Sequence, residues 1–260
     1  TADPQSWLGP EHVAAFGADT GLLLKFLDSG QRLPVHVHPN QEFARQHLNS
    51  RHGKTEAWII LRAKPGATVH VGFDRDVTSE ELARWVAEQD TAALLGTTNA
   101  IPVSAGDAFL CPAQVPHAIG EGILLLELQE PTDFSILLES KGFTDPEDGH
   151  LGLGYDTALR AVDRESWSPE KLARLHVEGD RILPPAADPF FRADWCRDSS
   201  RLEAGFGVLV VTEGTGQLRT AAGVAVPLAQ GSTTLIPYAA GECTVDGELT
   251  AIHCRPPAAP

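Results

Sequence analysis

One spacing occurs twice in this chain and limits what it can fold into. Gly106 is followed by five residues, Asp107 to Cys111, and then by Pro112, and Gly231 likewise leads through Ser232 to Ile236 into Pro237. Each copy reads as a turn, a short apolar strand and a stop. Five residues beyond each proline stand His117 in the first copy and Glu242 in the second. Two related β modules are the simplest source of such a repeat. Glycine (24 residues) and proline (19 residues) are both abundant, which suits many turns between short strands.

The first module alternates clearly. From Leu33 to His38, Leu33, Val35 and Val37 fall on one face and His36 and His38 on the other. Glu56 to Ala63 and Thr68 to Phe73 read as further strands. Glu42 to Leu48 reads as a short helix capped by Asn40. Thr78 to Asp90 carries the strongest helical pattern, with Leu82, Trp85, Val86 and Gln89 on one face, and Thr91 to Thr97 extends this small helical insert. The Gly- and Asp-rich stretch Thr144 to Gly154 predicts a boundary, giving modules over 1–145 and 146–260. Beyond it, Tyr155 to Val162 and Pro169 to His176 read as helical. Strands follow at Gly207 to Val211, Gly216 to Arg219, Val224 to Leu228, Ser232 to Pro237 and Cys243 to Val245. Arg255 to Pro260 reads as a frayed tail.

The formal charge of −15 over 260 residues repels polyanions, so nucleic acid and acidic membranes are not expected partners. No apolar run is long enough to span a bilayer, and Thr1 to Gly9 lacks the pattern of a secretory signal. Cys111, Cys196, Cys243 and Cys254 show no metal-site spacing and read as reduced thiols, so a cytoplasmic protein is expected. The sequence does not fix the oligomeric state.

The chemistry-bearing residues converge on the first module. Imidazoles at i and i+2 on a strand project from one face, as a metal ion requires. Glu56 opens the next strand, and His117 follows the Pro112 turn. Three histidines and a carboxylate suit a divalent transition metal. Lys54 lies beside Glu56, and Glu127 shares a strand face with Gln129, which points both toward the barrel interior. Arg32 alternates onto the His36 face, which places it at the pocket mouth. Glu130 and Asp133 read as loop acids, and His47, His52 and His70 as ordinary residues.

These segments resemble the paired motifs of the cupin superfamily and, more narrowly, the class I mannose-6-phosphate isomerases. The resemblance rests on Leu27-Asp28, Gly30 to Leu33, Val37-His38-Pro39, Gly53-Lys54-Thr55-Glu56-Ala57-Trp58, Gly106-Asp107, Val115 to Gly120 and Glu127-Leu128-Gln129, with Val208 to Gly216, Gly231 to Pro237 and Gly241-Glu242 in the second module. It implies an all-β fold of two cupin jelly-roll barrels with a helical insert. It implies a metal-dependent aldose–ketose isomerase acting on a small carbohydrate, free or phosphorylated.

The family's metal ligands carry over to His38, Glu56 and His117. A glutamine usually supplies the fourth, where this chain has His36. Zinc is the first expectation, with iron, manganese or nickel compatible with a three-His, one-Glu set. Lys54 is retained and, with Glu127, is the expected catalytic pair. The family's arginine falls at Leu137 in ungapped alignment. The second module carries Glu242 where a ligand histidine would fall, so it is expected to be metal-free. Two other readings remain: another cupin metalloenzyme, such as an oxygenase or an enzyme of a different sugar, and a non-catalytic sugar-binding cupin.

Overall fold

The computed structural model describes residues 3–177 and 181–258. The chain divides into two compact units, Leu24–Val177 and Thr1–Leu23 with Glu178–Pro260. The boundary expected at residue 145 therefore falls inside the first unit. The Gly-rich stretch is a loop around the 3₁₀ turn Pro146–Asp148, and the chain beyond it still belongs to the same core. Ala158, Ala161 and Val162 join one apolar cluster, and Trp167 and Leu175 join another.

Two sheets build the first unit. One has the order Leu23–Asp28, Ile123–Gln129, Glu56–Ala63, Ala108–Cys111. The other runs Thr98–Pro102, Thr68–Phe73, His117–Ile119, His36–Val37, Ile136–Leu137. Trp58 and Ile60 from the first sheet meet Val69, Val71 and Ile119 from the second, so the space between them is filled like a small barrel. Only two residues of the predicted Leu33–His38 strand form a ladder, because Pro34 interrupts pairing. The alternation survives regardless. Val35 and Val37 are fully buried with Phe43, Trp85 and Ile136, while the rings of His36 and His38 meet each other and His117.

The helical insert forms as its caps dictate. Thr78 and Glu81 make a reciprocal capping box at the start of Ser79–Glu88, and Leu82, Trp85 and Val86 are its buried face. Gln89 closes the helix in a left-handed conformation and accepts from the backbone of Ser140 and Lys141. Thr91–Gly96 follows, capped by Asp90. The Asn40 cap holds Gln41–His47 as expected. No described helix is long and apolar enough to cross a membrane.

The second unit is one seven-stranded sheet system. The strands expected at Gly207 to Val211 and Gly216 to Arg219 are one strand, Gly207–Thr220. It serves two sets of neighbours. Its first half pairs with Thr233–Ile236 and Leu249–Arg255, its second half with Ala225–Ala229 and Cys243–Asp246, and a register shift after Val211 separates the halves. Leu249–Arg255 takes in the first residue of the expected tail, and Ala259 and Pro260 lie outside the described residues. Both copies of the repeat share a geometry. Gly106 and Gly231 have φ of 95° and 84°, a turn that only glycine makes without strain, before Ala108–Cys111 and Thr233–Ile236.

Candidate metal centre

Three short elements bring the histidines together. His36 pairs across the ladder with His117, which in turn pairs with Val71. His38 follows one residue past the strand, its carbonyl accepting the Gln114 N–H at 2.7 Å. The imidazole centroids lie 4.1 Å (His36–His117), 4.9 Å (His36–His38) and 4.9 Å (His38–His117) apart. Glu56 opens the strand of the opposite sheet and turns inward between Lys54 and Trp58, whose indole N–H donates to it at 2.9 Å.

Each ring is fixed through its Nδ1. That atom lies 2.8 Å from the Pro34 carbonyl in His36, 2.7 Å from the Phe134 carbonyl in His38 and 2.8 Å from the Val115 carbonyl in His117. A carbonyl can only accept, so Nδ1 carries the proton and Nε2 is a free lone pair. The Nε2 atoms of His38 and His117 are buried without a hydrogen bond, although the Glu56 oxygens sit 3.1 and 3.2 Å away. Lone pairs aimed at a carboxylate in a buried site leave room in energy for a cation, and this donor set suits a divalent one. Burial first, then the neighbouring imidazoles, hold His36 well below the ordinary histidine range. Burial chiefly holds His38 at about 4. Both are thus neutral at pH 7, as ligation requires. His36, His38 and His117 form one group able to hold a metal ion, and Glu56, Cys111 and His117 form another.

The expected catalytic residues lie beside this group. Lys54 is buried, with Nζ 3.7 Å from Glu56. Glu127 lies across the ladder from Trp58 and is buried on the same face. Burial, and then the charge of Glu56, push its carboxyl up to about 8.

Other expectations fare differently. Arg32 is drawn from the pocket mouth by Glu139, which it grips at 2.7 and 2.6 Å while lying over the Phe143 ring. Leu137 pairs with His36 in the ladder, so no cation stands at that position. Glu130 is a loop acid, but a buried one. It accepts from Thr55 N–H at 2.8 Å, Gly53 N–H at 3.3 Å and the Gln41 amide at 2.7 Å, clamping the segment that carries Lys54 and Glu56.

Sequence reasoning overlooked Lys25. It shares a strand face with Leu27, which packs on the interior cluster, and its charge is felt at Glu127. Its ammonium is 2.7 Å from Asp133. The period of two in Leu23–Asp28 already placed Lys25 on the face of Leu27, which was the available signal.

A double-sheeted barrel with three anchored imidazoles and a carboxylate at one end is the architecture of a cupin metalloenzyme. No protein-family model matches the sequence. The mannose-6-phosphate isomerase ManA of Bacillus subtilis (strain 168) is 31% identical over 252 residues, covering 93% of this chain and 78% of that protein. The chain belongs to the class I mannose-6-phosphate isomerase family. The solved mannose 6-phosphate isomerase of Bacillus subtilis superposes with a TM-score of 0.72 at 24% identity, over 94% of this chain and 79% of that one. A mannose 6-phosphate isomerase solved with zinc and yttrium has the same fold, with a TM-score of 0.72 at 15% identity over 99% of this chain and 84% of that one.

Proposed function

We propose that this chain interconverts an aldose phosphate and a ketose phosphate, with mannose 6-phosphate and fructose 6-phosphate as the pair. The observation that supports the reading is a buried trio of imidazoles anchored through Nδ1, with Glu56 against two of them and the raised carboxyl of Glu127 nearby, in a chain of this family.

His36, His38, Glu56 and His117 would hold the divalent metal, with zinc first. When bound, it supplies a positive charge that stabilises oxyanions on the substrate. The chain's own residues do the rest. Isomerisation moves a proton between C2 and C1 through an enediol. Glu127 takes that proton from one carbon and returns it to the other. A carboxyl raised toward the operating pH is a stronger base than an ordinary one. Lys54 neutralises charge developing on the enediol oxygens, held in place by the Glu130 clamp. The apolar floor of Trp58, Ile60 and Val71 excludes water below the site.

Lys25, at the edge of the same face, is the cation best placed to meet a phosphate. It offsets the loss of a cation at Leu137. The four cysteines are unpaired and buried, which fits a reducing cytoplasm.

The test is turnover of mannose 6-phosphate and of unphosphorylated mannose by the zinc-loaded chain. The reading expects conversion of the phosphate ester at a kcat/KM well above that of the free sugar. Conversion of neither sugar by fully loaded protein contradicts it.

A further inference from the structure

Five buried side-chain nitrogen or oxygen atoms among the described residues lack a hydrogen-bond partner. Three belong to the first unit's site: His38 Nε2, His117 Nε2 and Gln129 Oε1. The other two are His253 Nε2 and Arg255 Nε, in the second unit.

The ladders show that the two groups occupy matching positions. In the first unit, Glu56 pairs with Cys111, the residue before Pro112, and Trp58 pairs with Glu127. In the second, Gly207 pairs with Ile236, the residue before Pro237, and Leu209 pairs with His253. Gly207 therefore stands at the place of Glu56 and His253 at the place of Glu127. Two residues on, Arg255 stands at the place of Gln129.

His253 and Arg255 share the inner face with Ala251, Leu209 and Val211 of the apolar core. The neighbouring strand Arg192–Cys196 adds Arg192 opposite Arg255 and Asp194 opposite His253. The first unit's site sets Glu56 and Glu127 beside Lys54, whereas this one sets Arg192 and Arg255 beside Asp194. Arg192 and Arg255 stand side by side; Asp194 pairs with the Arg255 guanidinium, and Arg192 also feels the charges of Asp188 and Glu203. Arg192 gives its Nε–H to the Pro256 carbonyl at 3.0 Å, leaving its terminal nitrogens for other partners. A Cβ at Gly207 would collide with His253 Nε2, so the missing side chain leaves the room that the imidazole occupies beside Arg255. Asp194 is half-exposed, so this end of the face is reachable from solvent. In a chain of charge −15, two adjacent guanidiniums beside an unpartnered imidazole offer the donors that an anion needs.

We propose that the second unit binds a phosphate group, free or carried on a sugar, between Arg192, Arg255 and His253. The binding does not depend on catalysis in the first unit. It gives the metal-free module a ligand of its own.

The test uses the full-length, metal-loaded chain with ¹⁵N-labelled imidazoles, titrated with inorganic phosphate while the His253 ring signals are followed. The expected result is a saturable shift with a Kd of about 1 mM, weakened roughly tenfold in Arg255→Gln and in Arg192→Gln, with isomerase turnover unchanged. Mannose 6-phosphate in place of inorganic phosphate distinguishes the sources. Equal affinity assigns recognition to the phosphate alone, and tighter binding assigns part of it to the sugar. The proposal is overturned if the His253 signals do not saturate with either ligand. It is equally overturned if Arg192→Gln, which leaves Arg255 in place and melts like wild type, binds phosphate as tightly as wild type.

Discussion

In the first unit the residue two before Trp58 is Glu56; in the second the residue two before Leu209 is Gly207. Across the ladder, Trp58 faces Glu127 and Leu209 faces His253. After the repeat's proline, one unit carries His117 and the other Glu242. The backbone plan, the turn glycines and the apolar floor are shared. A handful of side chains differ: Glu56, Glu127 and Gln129 of the first unit stand where the second has Gly207, His253 and Arg255. The comparison teaches that the strand plan fixes where chemistry can occur, while about four positions decide which chemistry it is.

Stripping the first unit of its ligands should have the largest effect. His38→Ala and His117→Ala should each lower bound metal from about one per chain to near zero, with turnover falling roughly 10³-fold or more. Elemental analysis of purified variants checks this. Stoichiometric metal in either variant would reject the ligand assignment.

Glu127→Gln should lower kcat by about 10²–10⁴-fold while metal stays bound, and should remove the alkaline rise in the pH profile. The same carboxyl has an opposite effect on stability. Its value of about 8 without metal lies above the ordinary 4.5, so at pH 7 the unfolded chain ionises it while the metal-free folded chain holds it largely protonated. Its contribution is full below pH 4.5 and is lost as the pH rises toward 8. Metal-free Glu127→Gln should therefore melt above metal-free wild type at pH 7 and level with it at pH 4. A lower melting temperature at pH 7 would show that the carboxyl is not held protonated.

Glu130→Gln sharpens the comparison by loosening the segment that carries Lys54 and Glu56. An amide cannot accept from all three donors, so about 1.5–3 kcal/mol of stability should go, and kcat/KM should fall about tenfold. Denaturant titration and steady-state kinetics read the two effects. The smallest effect is expected at Gly207→Ala, where the new Cβ crowds His253. A loss of about 1–3 kcal/mol with unchanged turnover is expected, and a fall in turnover would show that the two units are not separable in function.

Much of this was legible in the residues. Alternation placed Val35 and Val37 against His36 and His38, even though the ladder there is only two residues long. Thr78 and Asn40 announced their helices because capping is local. The GKTEAW segment and the Pro112 turn led to Glu56 and His117. What escaped depended on distant partners. Arg32 was expected at the pocket, but Glu139 captures it from 107 positions away. Glu130 looked like a loop acid because nothing local reveals three donors converging on it. The long strand Gly207–Thr220 was divided by its glycines, since a bulged strand that changes partners reads as two. The boundary was placed too early for a similar reason: Trp167 and Leu175 return to the first core after a stretch rich in turn residues.

The central claim is that the first unit moves a proton between adjacent sugar carbons. It is tested most directly by incubating the zinc-loaded chain with mannose 6-phosphate in deuterated water and reading the carbon-bound protons by NMR. Fructose 6-phosphate is expected, with deuterium entering at C1 and C2 on approach to equilibrium, and Glu127→Gln should slow both by about 10²–10⁴-fold. Fully metal-loaded protein that leaves both positions protonated, with no ketose formed, would contradict it.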